Sequence, residues 1–353
     1  MSRILVISDI HGNQAALNAL LRAVREDSID AVRCLGDIVG YYGRPSQTLR
    51  AVAQRDPDFR IGNHEIAATY ETCGDDLHLS KRAILGAMRH RKHLMRDGHL
   101  EALKHAAEDS ARLDTRHEVL DGLSLSFVHG TPAADQPLRK VCSPYVRPKR
   151  ASSADEQDWS ALSAHFSEAA ALNGAGLSLY FIGHSHSSFL AQFAGEQVRL
   201  SSVRYNEPVG LNAEQGIVLI NVGSVGQPRD NVPLQNGNKR AHGVLLDTAE
   251  RTVTFVAADY VVAFGRMYDE LESDSFSQDM PDDLILETYN ALATRGLMPQ
   301  RFSDPRAQLN AIRRQLDELW QKEVDGLIET LDHPRISNIA EWWLTYDYYG
   351  FSA

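Results

Sequence analysis

Short apolar runs alternate with amphipathic stretches at the start of the chain. Residues 4–8, 31–35 and 59–61 are strand-like, and helical periods over residues 14–26 and 46–54 separate them. A βαβαβ order of this kind is typical of a sheet with helices packed on it. We therefore expect a layered α/β fold from the first residues onward.

The pattern changes after residue 116. Residues 117–120 and 123–128 flank Asp121-Gly122, a pair that favours a tight hairpin turn. Further strand-like runs follow at residues 177–182, 189–193, 198–201, 217–221, 243–247 and 252–257. Two such halves, stacked as mixed sheets with helices outside, predict a four-layer α-β-β-α sandwich.

Helical periods fill the remaining long segments. Residues 79–96, 99–107 and 154–173 have charged faces, which predict solvent-exposed scaffold helices. After residue 257 the chain becomes mainly helical and ends in an aromatic-rich segment, so we expect one domain over 1–257 and an extension over 258–353. The extension has enough apolar residues to bury itself, either within the chain, in a homodimer interface or as a lid.

Composition narrows the class of protein. Hydrophobic residues make up 43% and charged residues 24%, as in an ordinary globular enzyme, and the net charge of -11 disfavours nucleic acid as a partner. The three cysteines are far apart and form no CxxC pair, which is typical of free thiols in a reducing cytosol. No apolar run approaches membrane-spanning length. These features predict a cytoplasmic protein without a membrane partner.

Five short polar motifs come directly after apolar, strand-like runs. They are Asp9-x-His11, Gly36-Asp37, Gly62-Asn63-His64-Glu65, His129-Gly130 and Gly183-His184-Ser185-His186. Loops at the carboxyl ends of strands in α/β sheets bring distant side chains together. Carboxylate, amide and imidazole ligands without cysteine suit two divalent ions of Mn, Fe, Zn, Ni or Co. The motifs predict metal-assisted hydrolysis of a phosphoester, with Asp37 placed to bridge the two ions.

The order of these motifs resembles the calcineurin-like metallophosphoesterase superfamily, over about residues 1–257. Segments 36–41 and 221–229 are similar to those of its prokaryotic phosphodiesterase-like branch. The resemblance implies one ion held by Asp9, His11, Asp37 and His186, and a second by Asp37, Asn63, His129 and His184. A hydroxide between the ions would attack phosphorus, while His64 assists the leaving group and Glu65 holds the His64 ring.

Two positions depart from the pattern of many relatives, which have aspartate where this chain has Gly40 and Glu65. Neither removes a ligand. A cluster of basic residues follows His129, and with Arg229 it could hold the phosphate of a substrate. The cluster consists of Arg139, Lys140, Arg147, Lys149 and Arg150. The remaining histidines lie mostly in charged, helical segments, and we expect them at the surface.

The resulting hypothesis is a phosphodiesterase that acts on a small phosphorylated substrate, with nucleotides among the possible substrates. Phosphomonoester hydrolysis, a serine/threonine protein phosphatase-like activity and dinucleoside-polyphosphate hydrolysis stay open, because all would use the same metal core. A non-catalytic, metal-bound interaction scaffold is the alternative from another class. The presence of His64 and of every expected ligand favours an enzyme.

Overall fold

The computed structural model describes residues 2–69, 79–142, 146, 162–167, 176–194, 197–201, 203–211, 216–229, 239–260 and 275–332. The strands are β1 Arg3–Ile7, β2 Ala31–Cys34, β3 Arg116–Leu120, β4 Leu123–Phe127, β5 Leu177–Ile182, β6 Phe189–Ala194, β7 Gln197–Ser201, β8 Pro208–Gly210, β9 Gly216–Asn221, β10 Lys239–Asp247 and β11 Thr252–Tyr260. The helices are α1 Gln14–Ala23, α2 Pro45–Arg55, α3 Asn63–Thr69, α4 Lys81–Arg96, α5 Leu100–Glu108, α6 Ser110–Leu113, α7 Pro137–Cys142, α8 Asp282–Thr294 and α9 Leu309–Asp332. A 3-10 turn spans Glu26–Ser28, and residues 162–167 are also helical.

The strands form two mixed sheets. The first has the order β2-β1-β10-β11-β8, and the second has the order β3-β4-β5-β9-β6-β7. Strands β1 and β2 are parallel in the first sheet, as are β4, β5 and β9 in the second. Parallel neighbours end at the same edge of a sheet, so the loops that follow these strands are gathered there.

Alternate residues of β1 face two different cores. Ile4 and Val6 pack between the two sheets, whereas Leu5 and Ile7 face the helices that cover the first sheet. This alternation follows from the two-residue period of a strand. A third core, which includes Leu162, covers the outer face of the second sheet. The layers are therefore helix, sheet, sheet and helix, which confirms the predicted α-β-β-α sandwich.

Two short segments differ from the expectation. Residues 59–61 are not a strand: the N–H of Arg60 donates to Cys34 O at 2.8 Å and that of Ile61 to Arg112 O at 3.1 Å, so no ladder with one partner forms. Strand β8 was not expected, because it has only three residues and begins with Pro208 at a sheet edge. Short strands at an edge carry little hydrophobic pattern.

Helix α4 is buried, so the prediction of solvent exposure was wrong for this helix. All residues from Ala83 to Leu94 are buried, including His90 and His93. Its charges are compensated by side chains far along the chain, since Arg82 pairs with Glu323 at 3.0 Å and Arg91 with Glu287 at 2.6 Å. A local pattern cannot reveal such partners.

The helices after β11 share the core of the first sheet. Buried Ile312, Leu316 and Trp320 of α9 belong to the same hydrophobic cluster as Leu5 and Ile7 of β1. The aromatic end of the chain and Cys73 lie outside the described residues, whereas Cys34 and Cys142 are buried and form no disulfide. None of the helices in the described ranges combines the length and apolarity needed to cross a membrane.

Candidate metal centre

The seven predicted ligands lie in the loops at one edge of the sandwich. Asp9 and His11 follow β1, Asp37 follows β2, and Asn63 opens α3. The remaining three follow β4 and β5; they are His129, His184 and His186. All seven are at least nine-tenths buried. The parallel pairing of the preceding strands explains why residues so far apart in sequence share one place.

The ligand-type atoms form two groups that share one carboxylate. The first contains Asp9, His11, Asp37 and His186, and the second Asp37, His129 and His184; within each group the atoms lie within 4.8 Å of one another. Asn63 adjoins the second group, since the N–H of the next residue donates to Asp37 Oδ1 at 2.9 Å. The geometry thus brings the predicted set together around Asp37.

Backbone carbonyls orient three of the imidazole rings. The Nδ1 atoms of His11, His129 and His186 lie 3.1, 3.1 and 2.8 Å from the carbonyl oxygens of Val39, Leu35 and Gln227. Because a carbonyl only accepts, each neutral ring carries its proton on Nδ1 and presents the Nε2 lone pair to the centre. This arrangement is typical of metal-binding histidines.

The inward-facing Nε2 atoms of His11 and His186 and the Oδ1 atom of Asp9 meet without a proton between them. His11 Nε2 lies 3.1 Å from His186 Nε2, and Asp9 Oδ1 lies 3.0 Å from that same His186 atom. Within the described residues, the buried Oδ1 atoms of Asp9 and Asn63 accept no hydrogen bond. Lone pairs that face each other in a buried site repel unless a cation lies between them. The residues therefore fit divalent metal ions.

The electrostatics of the centre show the same need for positive charge. Burial alone would lower the pKa of His129, but the Asp37 carboxylate, 3.4 Å from Nε2, raises it to about 9. Burial alone would raise the pKa of Asp37, yet the charges of His129 and His64 hold it well below its usual range. Burial, with the charge of His129, lowers the pKa of His184 to about 3. Without metal, a proton on His129 partly balances the buried carboxylates.

Five of the predicted ligands have an uncommon backbone conformation. Asp9, His11, Asp37, His184 and His186 have φ angles between 53° and 63°, in the left-handed region. Such residues are strained, and they cluster at sites where the surrounding structure imposes the geometry. Hydrogen bonds between the loops impose it here, for example from Asp9 N to Gly36 O at 3.0 Å and from His11 N to Asp37 O at 2.9 Å.

Glycines leave room for these side chains. A Cβ at Gly62 would lie 2.1 Å from Asp37 Oδ1. At Gly40, where φ is 146°, a Cβ would lie 2.5 Å from His11 Nδ1 and 2.8 Å from His64 Nδ1. An aspartate at position 40 would therefore clash with both rings in this arrangement.

Glu65 has different partners from those expected. Its Oε2 accepts from Asp37 N at 2.7 Å and Gly62 N at 2.8 Å, and its Oε1 accepts from Val39 N at 2.9 Å. In the described structure His64 Nδ1 has no hydrogen-bond partner, so the expected contact between Glu65 and that ring is absent. Burial, with the Asp37 charge, raises the pKa of Glu65 to about 7. Glu65 ties together the loops that carry Asp37 and Asn63.

The structure describes only some of the candidate phosphate-binding residues. Arg229 is buried beside the centre, where its backbone N–H donates to the backbone oxygen of His186 at 2.9 Å. Arg139 pairs with Asp135 at 3.7 Å and Lys140 pairs with Asp114, so both described members of the basic cluster face carboxylates. Arg147, Lys149 and Arg150 lie outside the described residues. A role in holding phosphate stays a prediction.

Sequence reasoning assigned no role to two residues that the fold brings to the centre. The Tyr41 ring lies 4.7 Å from that of His11 and 4.8 Å from that of His64, between centroids. His90, expected at the surface, is 1% exposed and contacts the loop that follows β2. Tyr41 stands in the segment 36–41 that resembles the phosphodiesterase-like branch, whereas His90 had no such signal.

Comparison with known proteins identifies the family of this chain. The profile of the calcineurin-like phosphoesterase superfamily domain matches residues 2–237. An uncharacterized protein of Methanocaldococcus jannaschii is 26% identical over 285 residues, which cover 81% of this chain and 98% of that protein. The crystal structure of a metallophosphoesterase from Sphaerobacter thermophilus aligns with 22% identity and a TM-score of 0.53, over 82% of this chain and 98% of that one. A hypothetical protein from Pyrococcus horikoshii aligns with 18% identity and a TM-score of 0.48, over 81% and 97%. The profile match spans more than half of the chain, which therefore belongs to the calcineurin-like phosphoesterase superfamily.

Proposed function

We propose that this protein is a binuclear metal-dependent phosphoesterase that prefers a small phosphodiester. The observation that carries the proposal is the pair of buried ligand groups that share Asp37. A carboxylate shared by two ligand groups suits two ions about 3.5–4 Å apart, the arrangement of many phosphoester hydrolases. Family membership supports the reaction class, and segments 36–41 and 221–229 favour a diester.

In this proposal Asp9, His11 and His186 hold one ion, His129, His184 and Asn63 hold the other, and Asp37 bridges them. Two bound divalent ions would polarise the phosphoryl group and lower the pKa of water at the site. Mn, Fe, Zn, Ni and Co all suit these nitrogen and oxygen ligands. The backbone carbonyls described above set the orientation and the tautomer of three of these ligands, His11, His129 and His186.

His64 assists the leaving group in this proposal. Its ring is buried against those of His11 and Tyr41, and it belongs to neither ligand group. An imidazole beside the reacting bond can donate a proton to the departing oxygen, or stabilise its negative charge. Arg229, buried next to His186, is a further candidate for contact with the phosphate.

The test compares hydrolysis of bis-p-nitrophenyl phosphate and p-nitrophenyl phosphate by metal-stripped protein refilled with Mn. We expect faster cleavage of the diester. The variant His64→Ala should keep both ions and lose about a hundredfold or more in turnover, since general acid catalysis contributes that much. Metal content per chain, measured on the same samples, separates loss of catalysis from loss of metal.

Each outcome has a distinct meaning. Preference for the monoester would replace the diesterase by a phosphatase, and a His64→Ala variant as active as the parent would remove the leaving-group role. Absence of turnover with nucleotide diesters and monoesters as well would contradict an esterase and favour a metal-bound scaffold. Sedimentation analysis of the full chain tests separately whether residues 258–353 form a homodimer interface.

A further inference from the structure

His90 lies where helix α4 meets the loop that follows β2. The N–H of Gly40 donates to His90 Nδ1 at 2.7 Å, and His90 Nε2 bonds to the carbonyl oxygen of Tyr42. An amide N–H can only donate and a carbonyl can only accept, so the ring must be neutral with its proton on Nε2. Both ring nitrogens are therefore used to hold one loop.

Helix α4 holds the Gly40 residue from two sides. While His90 accepts from its N–H, the helix backbone at Gly86 is so close that a Cβ there would lie 2.3 Å from Gly40 O. Gly86 is four residues before His90, so both contacts come from one face of the helix. The position of Gly40 is thus set by α4 at its amide and at its carbonyl.

Gly40 in turn packs against the rings of His11 and His64, which both take part in the proposed chemistry. A Cβ at this residue would lie within 3 Å of both His11 Nδ1 and His64 Nδ1. The ring of His90 also contacts the other loop, because a Cβ at Gly12 would lie 2.8 Å from His90 Cε1. One buried side chain therefore packs against the loop of Asp9 and His11 and bonds the loop of Asp37.

We propose that His90 is a positioning residue of the esterase, which acts through Gly40 to place the His64 ring. The inference rests on the proposed function. The essential contact of His90 is the hydrogen bond that its Nδ1 accepts, because that bond holds Gly40. The bond to Tyr42 lies farther along the loop. Burial and the nearby Arg89 hold the pKa of His90 well below its usual range, which keeps this acceptor available.

Two substitutions distinguish the roles of the two ring nitrogens of His90. His90→Asn places an amide oxygen near the position of Nδ1 and can keep the bond from Gly40. His90→Gln places its amide group near Nε2 and loses that bond. His93→Asn is the matched control, because His93 is a buried histidine on the same helix and its Nδ1 lies 3.5 Å from Arg96. All variants are first checked for a cooperative thermal transition and for metal content.

The readout is the dependence of kcat on the leaving group. It is measured with two phosphodiesters that differ only in the departing group, which is p-nitrophenol in one and phenol in the other. Phenol is the poorer leaving group and depends more on His64. We expect His90→Gln to lower kcat for the phenyl ester by about a hundredfold, as misplaced catalytic groups do, and much less for the p-nitrophenyl ester. His90→Asn should retain most activity, with KM and metal content unchanged throughout. Equal losses on both esters, or a His90→Gln variant that behaves like the control, would overturn the proposal.

A second measurement does not depend on activity. Hydrogen exchange of the peptide 36–44 in the metal-loaded protein should be faster in His90→Gln than in His90→Asn or His93→Asn, since Gly40 loses its acceptor. If the parent protein cleaves no phosphoester, the proposed function fails while this exchange difference persists. Unchanged exchange in His90→Gln would show that His90 does not hold the loop.

Discussion

Asp37 connects the chemistry of the two ligand groups with the backbone that carries them. Its side chain belongs to both groups, and its Oδ1 accepts from His64 N at 2.9 Å. Its own N–H donates to Glu65, and its carbonyl accepts from His11 N. Its left-handed φ of 53° is imposed by these bonds. A single residue therefore links the loops after β1 and β2 and the start of α3.

The substitution Asp37→Asn tests this link. The amide removes the shared negative charge, so we expect both ions to bind more than about tenfold more weakly. After dialysis against metal-free buffer, metal analysis should find fewer ions per chain than in the parent. Asp56→Asn is the control, because Asp56 is a buried carboxylate outside both groups. Equal metal content in Asp37→Asn and the parent would contradict the bridge.

At the scale of the elements, helix α4 depends on partners that are distant in sequence. It is rich in basic residues, yet it is covered by α8 and α9, which supply Glu287 and Glu323 to its arginines. Its guanidinium at Arg89 lies 5.5 Å from the ring centroid of Trp320 on α9, and Phe276 lies 5.8 Å from that ring. The C-terminal helices thus complete the environment of the helix that carries His90.

We expect Trp320→Ala to destabilise the protein by about 3–5 kcal/mol, because it leaves a cavity between α9 and α4 and removes the ring that Arg89 contacts. Trp320→Phe keeps an aromatic face and should cost less. Urea unfolding followed by circular dichroism measures both. A loss below about 0.5 kcal/mol for Trp320→Ala, the range of surface substitutions, would show that α9 adds little to this core.

At the scale of the whole molecule, two stacked sheets bring loops from distant parts of the chain to one edge. The N–H of His184, for example, donates to Asp9 Oδ2 at 3.0 Å across 175 residues. The resulting centre is buried. It combines carboxylates that lie close together, imidazole lone pairs that face inward and five residues with a left-handed backbone conformation. Such a centre favours the folded state only when positive charge balances it.

Metal removal should therefore lower the stability of the whole fold. Ions that bind only the native state add about 2.7 kcal/mol when their concentration is a hundred times Kd. We expect Tm to fall after chelation and to recover when Mn is restored. Asp37→Asn should show a smaller shift than the parent. A Tm that is the same with and without metal would contradict a centre built for cations.

Local spacing in the sequence was enough to predict most strands and the layered α/β fold. The alternation Ile4, Leu5, Val6, Ile7 already assigns two faces to β1, because side chains in a strand point to opposite sides in turn. The five ordered motifs also predicted which residues gather around Asp37. These features depend on neighbours in sequence, or on a pattern shared with a family, and so they can be read without coordinates.

Only the tertiary structure decided the contacts between residues that are distant in sequence. Glu65 holds the loops of Asp37 and Gly62 rather than the His64 ring, and α4 is buried because glutamates of α8 and α9 meet its arginines. His90 supports Gly40 across 50 residues. A helix pattern states which residues share a face, but the elements that pack against that face follow from the whole fold. This is why the candidate ligands could be predicted, whereas the residues that position them could not.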